Sequence, residues 1–182
     1  MKVASTSIPE VRVIEPVVWS DARGFLLEVW QAERYRQAGM DMAFVQDNHS
    51  RSVHGVLRGL HYQIEQAQGK LVRVVTGRIF DVAVDLRRGS PTFARWTGVE
   101  LSEDNHRQLW IPPGFAHGFY VLSAQADVMY KCTALYAAEH ERTLRWDDPE
   151  VGIQWPLAGA GPPLVSAKDA AGLSLRDAPV YP

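Results

Sequence analysis

The stretch "RGLHYQ", residues 58 to 63, sets Arg58 and His61 into a run, "GVLRGLHYQ", that otherwise reads as an apolar strand. An imidazole takes up and returns protons near neutral pH, and a guanidinium is a forked donor matched to phosphate or carboxylate. The two groups can serve one ligand only if they reach the same side of the strand. Regular alternation puts Leu57, Gly59, His61 and Gln63 on one face and Val56, Arg58, Leu60 and Tyr62 on the other. Convergence therefore needs a break, and Gly59 is where a bulge or a close backbone approach is expected. The same parity groups Asp81 with Asp85, His117 with Phe119, and Tyr130 with Val128 and Cys132. If the histidine faces define an interior, it collects His61, Gln63 and His117 with acidic and aromatic company. Taken singly, a histidine such as His49, His54, His106 or His140 is ordinarily a hydrogen-bonded core or surface residue. Several such groups on the strands of one small barrel point to a pocket.

The elements that must position these groups are strand after strand. Short apolar or alternating runs occupy 25–30, 43–50, 55–63, 70–75, 78–86, 95–101, 107–112, 116–123 and 126–136, with turn signals such as "TGR", "RRGSP" and "PPG" between them. Only "AERYRQAG", residues 32 to 39, reads as a helix, with Gly39 in the usual terminating position. This pattern predicts an all-β fold, an antiparallel sandwich or jelly roll, rather than alternating β/α units. The Pro-, Gly- and Ala-rich tail beyond Trp155 is expected to wrap the barrel as loop and short helix.

Composition narrows the class further. A chain of 182 residues with 46% hydrophobic residues fits one core and one domain, 1–182. A net charge of -2 with scattered Lys and Arg offers no basic face for nucleic acid. The single cysteine, Cys132, excludes an intrachain disulfide, and no stretch reaches the ~20 apolar residues of a membrane span. The first sixteen residues lack the apolar core of a secretory signal, so a soluble, cytoplasmic protein is expected.

Inward histidines on a small jelly roll raise the question of a metal. Metal-binding cupins carry G-x5-H-x-H and, later, P-x-G-x2-H. This chain is similar, with Gly55, His61 and Gln63 and then Pro112, Gly114 and His117, but Gln63 stands where the second histidine belongs. Two histidines and an amide make a poor first-row metal site, so the pocket is read as metal-free.

Seven stretches carry a resemblance: "DARGFLLE", "FVQDNHSRS", "GVLRGLHYQ", "QGKLVRVVTGRIFDVAVDLRRGSPTF", "IPPGFAHGF", "YKCTALYAAEHE" and "SAKD". Through them the chain, from about Arg12 to Asp169, resembles the dTDP-4-dehydrorhamnose 3,5-epimerase family, metal-free cupins of deoxysugar biosynthesis. It implies a double-stranded β-helix with short peripheral helices and a cofactor-free inversion of dTDP-4-dehydro-6-deoxy-D-glucose at C3 and C5. Both carbons neighbour the C4 ketone, so each needs a base, a partner for the enolate oxygen and a proton source on the opposite face. His61 is the natural base. By resemblance, Asp169 orients it, Lys70 faces the C4 oxygen and Tyr130 is the acid. The resemblance also implies that Arg23 and Arg58 bind the diphosphate and that Tyr136 stacks on the thymine. Glu28, Gln46, Asn48, His117, Glu141 and Lys168 match further substrate contacts of the family.

Departures from the family pattern are Leu26 and Leu27 where aromatics are frequent, and Ala134 and Leu135 where a polar and an aromatic residue are. They imply a looser sugar or base pocket. Two other readings stay open on the sequence: a relative that epimerises only C3 or only C5, and a non-catalytic or metal-dependent cupin. The resemblance further implies a homodimer with an exchanged N-terminal strand, so that Arg23 and Glu28 complete the neighbour's site.

Overall fold

The computed structural model describes residues 1–157 and 161–182. Residues 158–160, inside the tail expected to wrap the barrel, lie outside the described residues. Two antiparallel sheets face each other. One contains, in spatial order, β1 (Lys2–Ser5), β2 (Arg12–Glu15), β10 (Gln108–Ile111), β7 (Lys70–Thr76), β12 (Gln125–Cys132) and β5 (Gln46–Val53). The other runs β13 (Glu141–Thr143), β6 (Leu57–Gln63), β11 (Phe115–Val121), β8 (Arg78–Asp85) and β9 (Trp96–Ser102). A separate ribbon pairs β3 (Val18–Asp21) with β4 (Gly24–Leu27). The helices are short, α1 (Ala32–Gln37) and α2 (Ala167–Ala170). The all-β jelly-roll expectation holds, and Gly39 ends the first helix with φ of 75°.

Period-2 alternation fills the space between the sheets. Val72, Val74, Leu109 and Val128 from the larger sheet meet Ile79, Leu101, Phe119 and Val121 from the smaller one in a single apolar cluster. The outer face of the smaller sheet, Leu60, Tyr62, Val82 and Val84, is covered by Leu144, Val151, Leu175 and Ala178. The described part of the tail packs on that sheet and is pinned where Leu144 bridges Leu173 and Arg87 bridges Tyr181. The strand expected at 126–136 ends at Cys132, and the one expected at 25–30 ends at Leu27. β1, β2, β3 and β13 were not anticipated: at three or four residues each they are too short to carry a readable period.

The break anticipated in β6 is present. His117 pairs with His61 and Phe119 with Arg58, so two steps along β11 span three along β6. Gly59 sits at the extra residue with φ of 112°, and the Gly59–Leu60 peptide is cis. Beyond the break, Leu60 and Tyr62 point to the tail-covered core, whereas Arg58 lines the same cleft as His61. A side chain at 59 has no room: a Cβ there would lie 2.6 Å from the His117 carbonyl and 2.7 Å from Gly118 Cα. Gly59→Ala is therefore expected to cost about 2–5 kcal/mol, adding left-handed backbone strain to overpacking. Urea unfolding checks this, and an unchanged midpoint would mean that β11 yields readily at this contact.

Candidate active site

His61 lies at the centre of a cleft between the sheets. Its Nε2 is 2.5 Å from Oδ1 of Asp169, a residue 108 positions later on α2. Ser166 caps that helix, its hydroxyl accepting from the Asp169 amide at 3.1 Å. The Asp169 carboxyl lies below its ordinary value: burial, the largest single influence, pushes it up, but the His61 bond, the His61 charge, the Gly59 amide and Ser166 together outweigh that. Asp169 is thus a carboxylate held against the imidazole.

Across the cleft stand groups from the larger sheet. Lys70 is buried and its Nζ donates to the His61 carbonyl at 3.4 Å. Burial pushes its ammonium below the ordinary lysine range, opposed by Cys132, Glu141 and Asp81. Tyr130 projects from β12, and burial raises its hydroxyl above the usual phenol value, reinforced by Cys132 and partly offset by Arg58. It remains a proton donor at neutral pH. His117, the register partner of His61, is buried with its Nε2 2.9 Å from Asp81 Oδ1 and its ring 6.5 Å from that of Tyr130. Arg58 and His61 line each of two cavities, of about 110 and 420 Å³, the smaller of which also holds Lys70, His117 and Tyr130 in its wall.

Arg58 guards its mouth. Its Nε donates to Ser52 at 2.9 Å and its Nη2 to the Arg51 carbonyl at 3.3 Å. Among the described residues, no carboxylate pairs with either Arg58 or Lys70. Farther out, Tyr136 donates through its hydroxyl to Glu141 at 2.7 Å, and Glu141 pairs with Lys168 at 2.5 Å. The Glu141 carboxyl lies below its ordinary value; burial, the largest influence, raises it, but Lys168 and Tyr136 lower it further. Gln46 and Asn48 face inward from β5, Gln46 accepting from the Tyr136 amide at 2.8 Å and donating to Asn48 at 3.1 Å.

Two predicted residues are not brought here. Arg23, with its side chain 89% exposed, pairs with Asp21 on the β3–β4 ribbon, and Glu28 pairs with Arg34 at 3.1 Å. Conversely, sequence reasoning passed over Ser50, whose buried hydroxyl faces the cleft without a hydrogen-bond partner among the described residues. The inward alternation of "QDNHSRS" at 46, 48, 50 and 52 was the available signal. It also passed over the pairing of Asp81 with His117, although both stood on the interior face. Gln63 is buried and spends its amide on backbone groups of neighbouring loops. Among the described residues no three His, Cys, Asp or Glu side chains converge to hold a metal ion, and no helix is long and apolar enough to cross a membrane.

Fold and cleft define the class: a cupin-like β-sandwich with titratable side chains from both sheets lining one cleft. The family described as dTDP-4-dehydrorhamnose 3,5-epimerase matches residues 5–177. A protein of that name from Pseudomonas aeruginosa is 56% identical over 183 residues, covering all of both chains. The crystal structure of dTDP-6-deoxy-D-glucose-3,5-epimerase from Legionella pneumophila, in complex with dTDP-4-keto-L-rhamnose, superposes with a TM-score of 0.94 at 54% identity, over 98% of this chain and 94% of that one. A 3'-monoepimerase from Streptomyces bikiniensis, in complex with dTDP-quinovose, is more distant, with a TM-score of 0.88 at 36% identity over 94% and 87% of the two chains. The chain belongs to the dTDP-4-dehydrorhamnose 3,5-epimerase family.

A buried lysine without a carboxylate partner should cost stability. Because burial lowers its folded pKa, the folded state sheds the proton first as pH rises, so the cost is greatest below the lowered value and shrinks as pH rises through it toward the ordinary lysine range. Lys70→Met is accordingly expected to be about 1–3 kcal/mol more stable at pH values below the lowered lysine value, with the gain narrowing above it. Urea unfolding across a series of pH values tests this; destabilisation at every pH would show that the ammonium is well solvated.

Proposed function

We propose that this chain is an isomerase that inverts C3 and C5 of dTDP-4-dehydro-6-deoxy-D-glucose to give dTDP-4-dehydro-L-rhamnose, without a cofactor. The observation that carries the reading is the placement of a carboxylate-held imidazole on one sheet and a protonated phenol on the facing sheet, bounding one cleft. A sugar ring lying between them has His61 on one face and Tyr130 on the other. His61 removes the proton from the carbon beside the ketone, and Asp169 stabilises the resulting imidazolium. Negative charge then grows on the C4 oxygen, where the buried Lys70 ammonium is worth most because little water screens it. Tyr130 delivers a proton from the opposite face, and inversion results.

The nucleotide half suits the outer cleft. Arg58, a cation with no carboxylate partner among the described residues, supplies forked donors for the diphosphate, with His117 as a further contact. Tyr136, half-exposed and fixed through Glu141, offers a face for the thymine, while Gln46, Asn48, Glu141 and Lys168 supply polar contacts around it. The unpartnered Ser50 hydroxyl suits a sugar hydroxyl.

Arg23 and Glu28 enter this scheme through a second copy. The β3–β4 ribbon pairs with neither sheet and exposes Trp19, Phe25 and Leu26, and an isolated two-stranded ribbon is marginal in water. We read it as an arm that docks on a partner in a soluble, cytoplasmic homodimer and carries Arg23 to the partner's cleft.

Incubation with dTDP-4-dehydro-6-deoxyglucose in deuterated water, with the label located by NMR, tests the reaction. Deuterium at both C3 and C5 is expected; label at one carbon selects a monoepimerase, and none contradicts an epimerase of either kind. Asp169→Asn should lower kcat about 10²–10⁴-fold, and His61→Ala should abolish exchange at both carbons. Tyr130→Phe should impair inversion more than proton removal.

A further inference from the structure

Three glutamine amides grip the turn at 134–137, one contact to each residue. Gln68 Nε2 donates to the Ala134 carbonyl at 2.9 Å, Gln63 Nε2 to the Leu135 carbonyl at 3.2 Å, Gln46 Oε1 accepts from the Tyr136 amide at 2.8 Å, and Gln63 Oε1 from the Ala137 amide at 2.9 Å. Gln63 alone makes two of these contacts, and its Nε2 also donates to the Gln66 carbonyl at 2.9 Å. Only 2% of it is exposed, and it lines neither part of the cleft although it follows His61 by two residues on β6. All three of its partners are main-chain groups. The side chains of Leu135 and Tyr136 therefore project outward from a backbone that is fixed without them.

An amide is the group this position requires. It presents two donors and an acceptor at one end of a flexible stem, and all are used. A carboxylate would face the Gln66 and Leu135 carbonyls with no hydrogen to offer, and an imidazole has only two nitrogens for three partners. The position where metal cupins carry a histidine thus has a different task here.

We infer that Gln63 is a positioning residue for nucleotide recognition: it sets the height and tilt of the Tyr136 ring against which the base stacks. The inference rests on the reading of Tyr136 as the stacking aromatic. It also accounts for Ala134 and Leu135, since a turn held by its main chain tolerates changed side chains. Gln63 acts through Tyr136, so its loss should weaken binding of the base while sparing both the phosphate contacts and the proton transfers.

The test compares Gln63→Leu, Tyr136→Ala and the double variant in the full chain. dTDP and inorganic diphosphate are titrated calorimetrically, and KM and kcat are measured with the dTDP-sugar. Gln63→Leu should bind dTDP about tenfold more weakly and raise KM in step, with diphosphate affinity unchanged and kcat within about twofold. In the Tyr136→Ala background the same change should cost no further dTDP affinity, because coupled residues are not additive. Unchanged dTDP affinity in Gln63→Leu, a parallel loss of diphosphate affinity, or multiplying losses in the double variant would each overturn the inference. Full dTDP affinity in Tyr136→Ala would instead overturn the stacking reading itself. Should Gln63→Leu fail to fold, Gln63→Asn keeps the amide, shortens its reach and carries the same comparison.

Discussion

The cleft depends on one close backbone approach, where Gly59 of β6 lies against His117 and Gly118 of β11. Without a side chain at 59 the strands meet closely enough for β6 to take one extra residue against β11. That single residue reverses the parity of everything before it. Arg58 leaves the face of Leu60 and Tyr62, which is sealed by the tail, and joins His61 above the interior. A cation suited to phosphate and an imidazole suited to proton transfer thereby come to one ligand-sized space.

The sandwich then supplies what a single sheet cannot. His61 on the smaller sheet opposes Lys70 and Tyr130 on the larger one, so a ligand between the sheets meets titratable groups from two directions. The tail contributes the carboxylate. It closes the outer face of the smaller sheet through apolar packing and, on the way, its four-residue helix sets Asp169 against His61. Packing of the tail thus goes together with the placement of Asp169 against His61. Asp169 stays ionised there, while burial keeps the Tyr130 hydroxyl protonated.

Much of this was legible in the sequence because it obeys local rules. The interior strands alternate clearly, Gly39 ends its helix, and Gly59 marked the one point where alternation had to fail. The remainder depends on distant contacts. Period arguments gave no reason to join Asp169 to His61 across 108 residues; only the family resemblance suggested it. Parity put Asp81 and Asp85 on one face, but it could not tell that Asp81 would meet His117 while Asp85, at the other end of the strand, binds Arg87, Ser90 and Thr92. Gln63 was informative as the absence of a ligand, and its grip on the 134–137 turn became visible only with the loops in place. Arg23 and Glu28 stay outside the cleft of the single chain, Arg23 on a ribbon that among the described residues pairs with neither sheet and Glu28 beside Arg34.

The central claim is that one ligand spans Arg58 and His61. A crystal structure with dTDP-glucose, which lacks the ketone and cannot react, tests it most directly. The account predicts the diphosphate within hydrogen-bonding distance of the Arg58 guanidinium, with the glucose ring between His61 and Tyr130. It would be contradicted by a sugar turned away from His61, or by the nucleotide in the separate cavity beside Arg73 and Met129 on the outer face of the larger sheet.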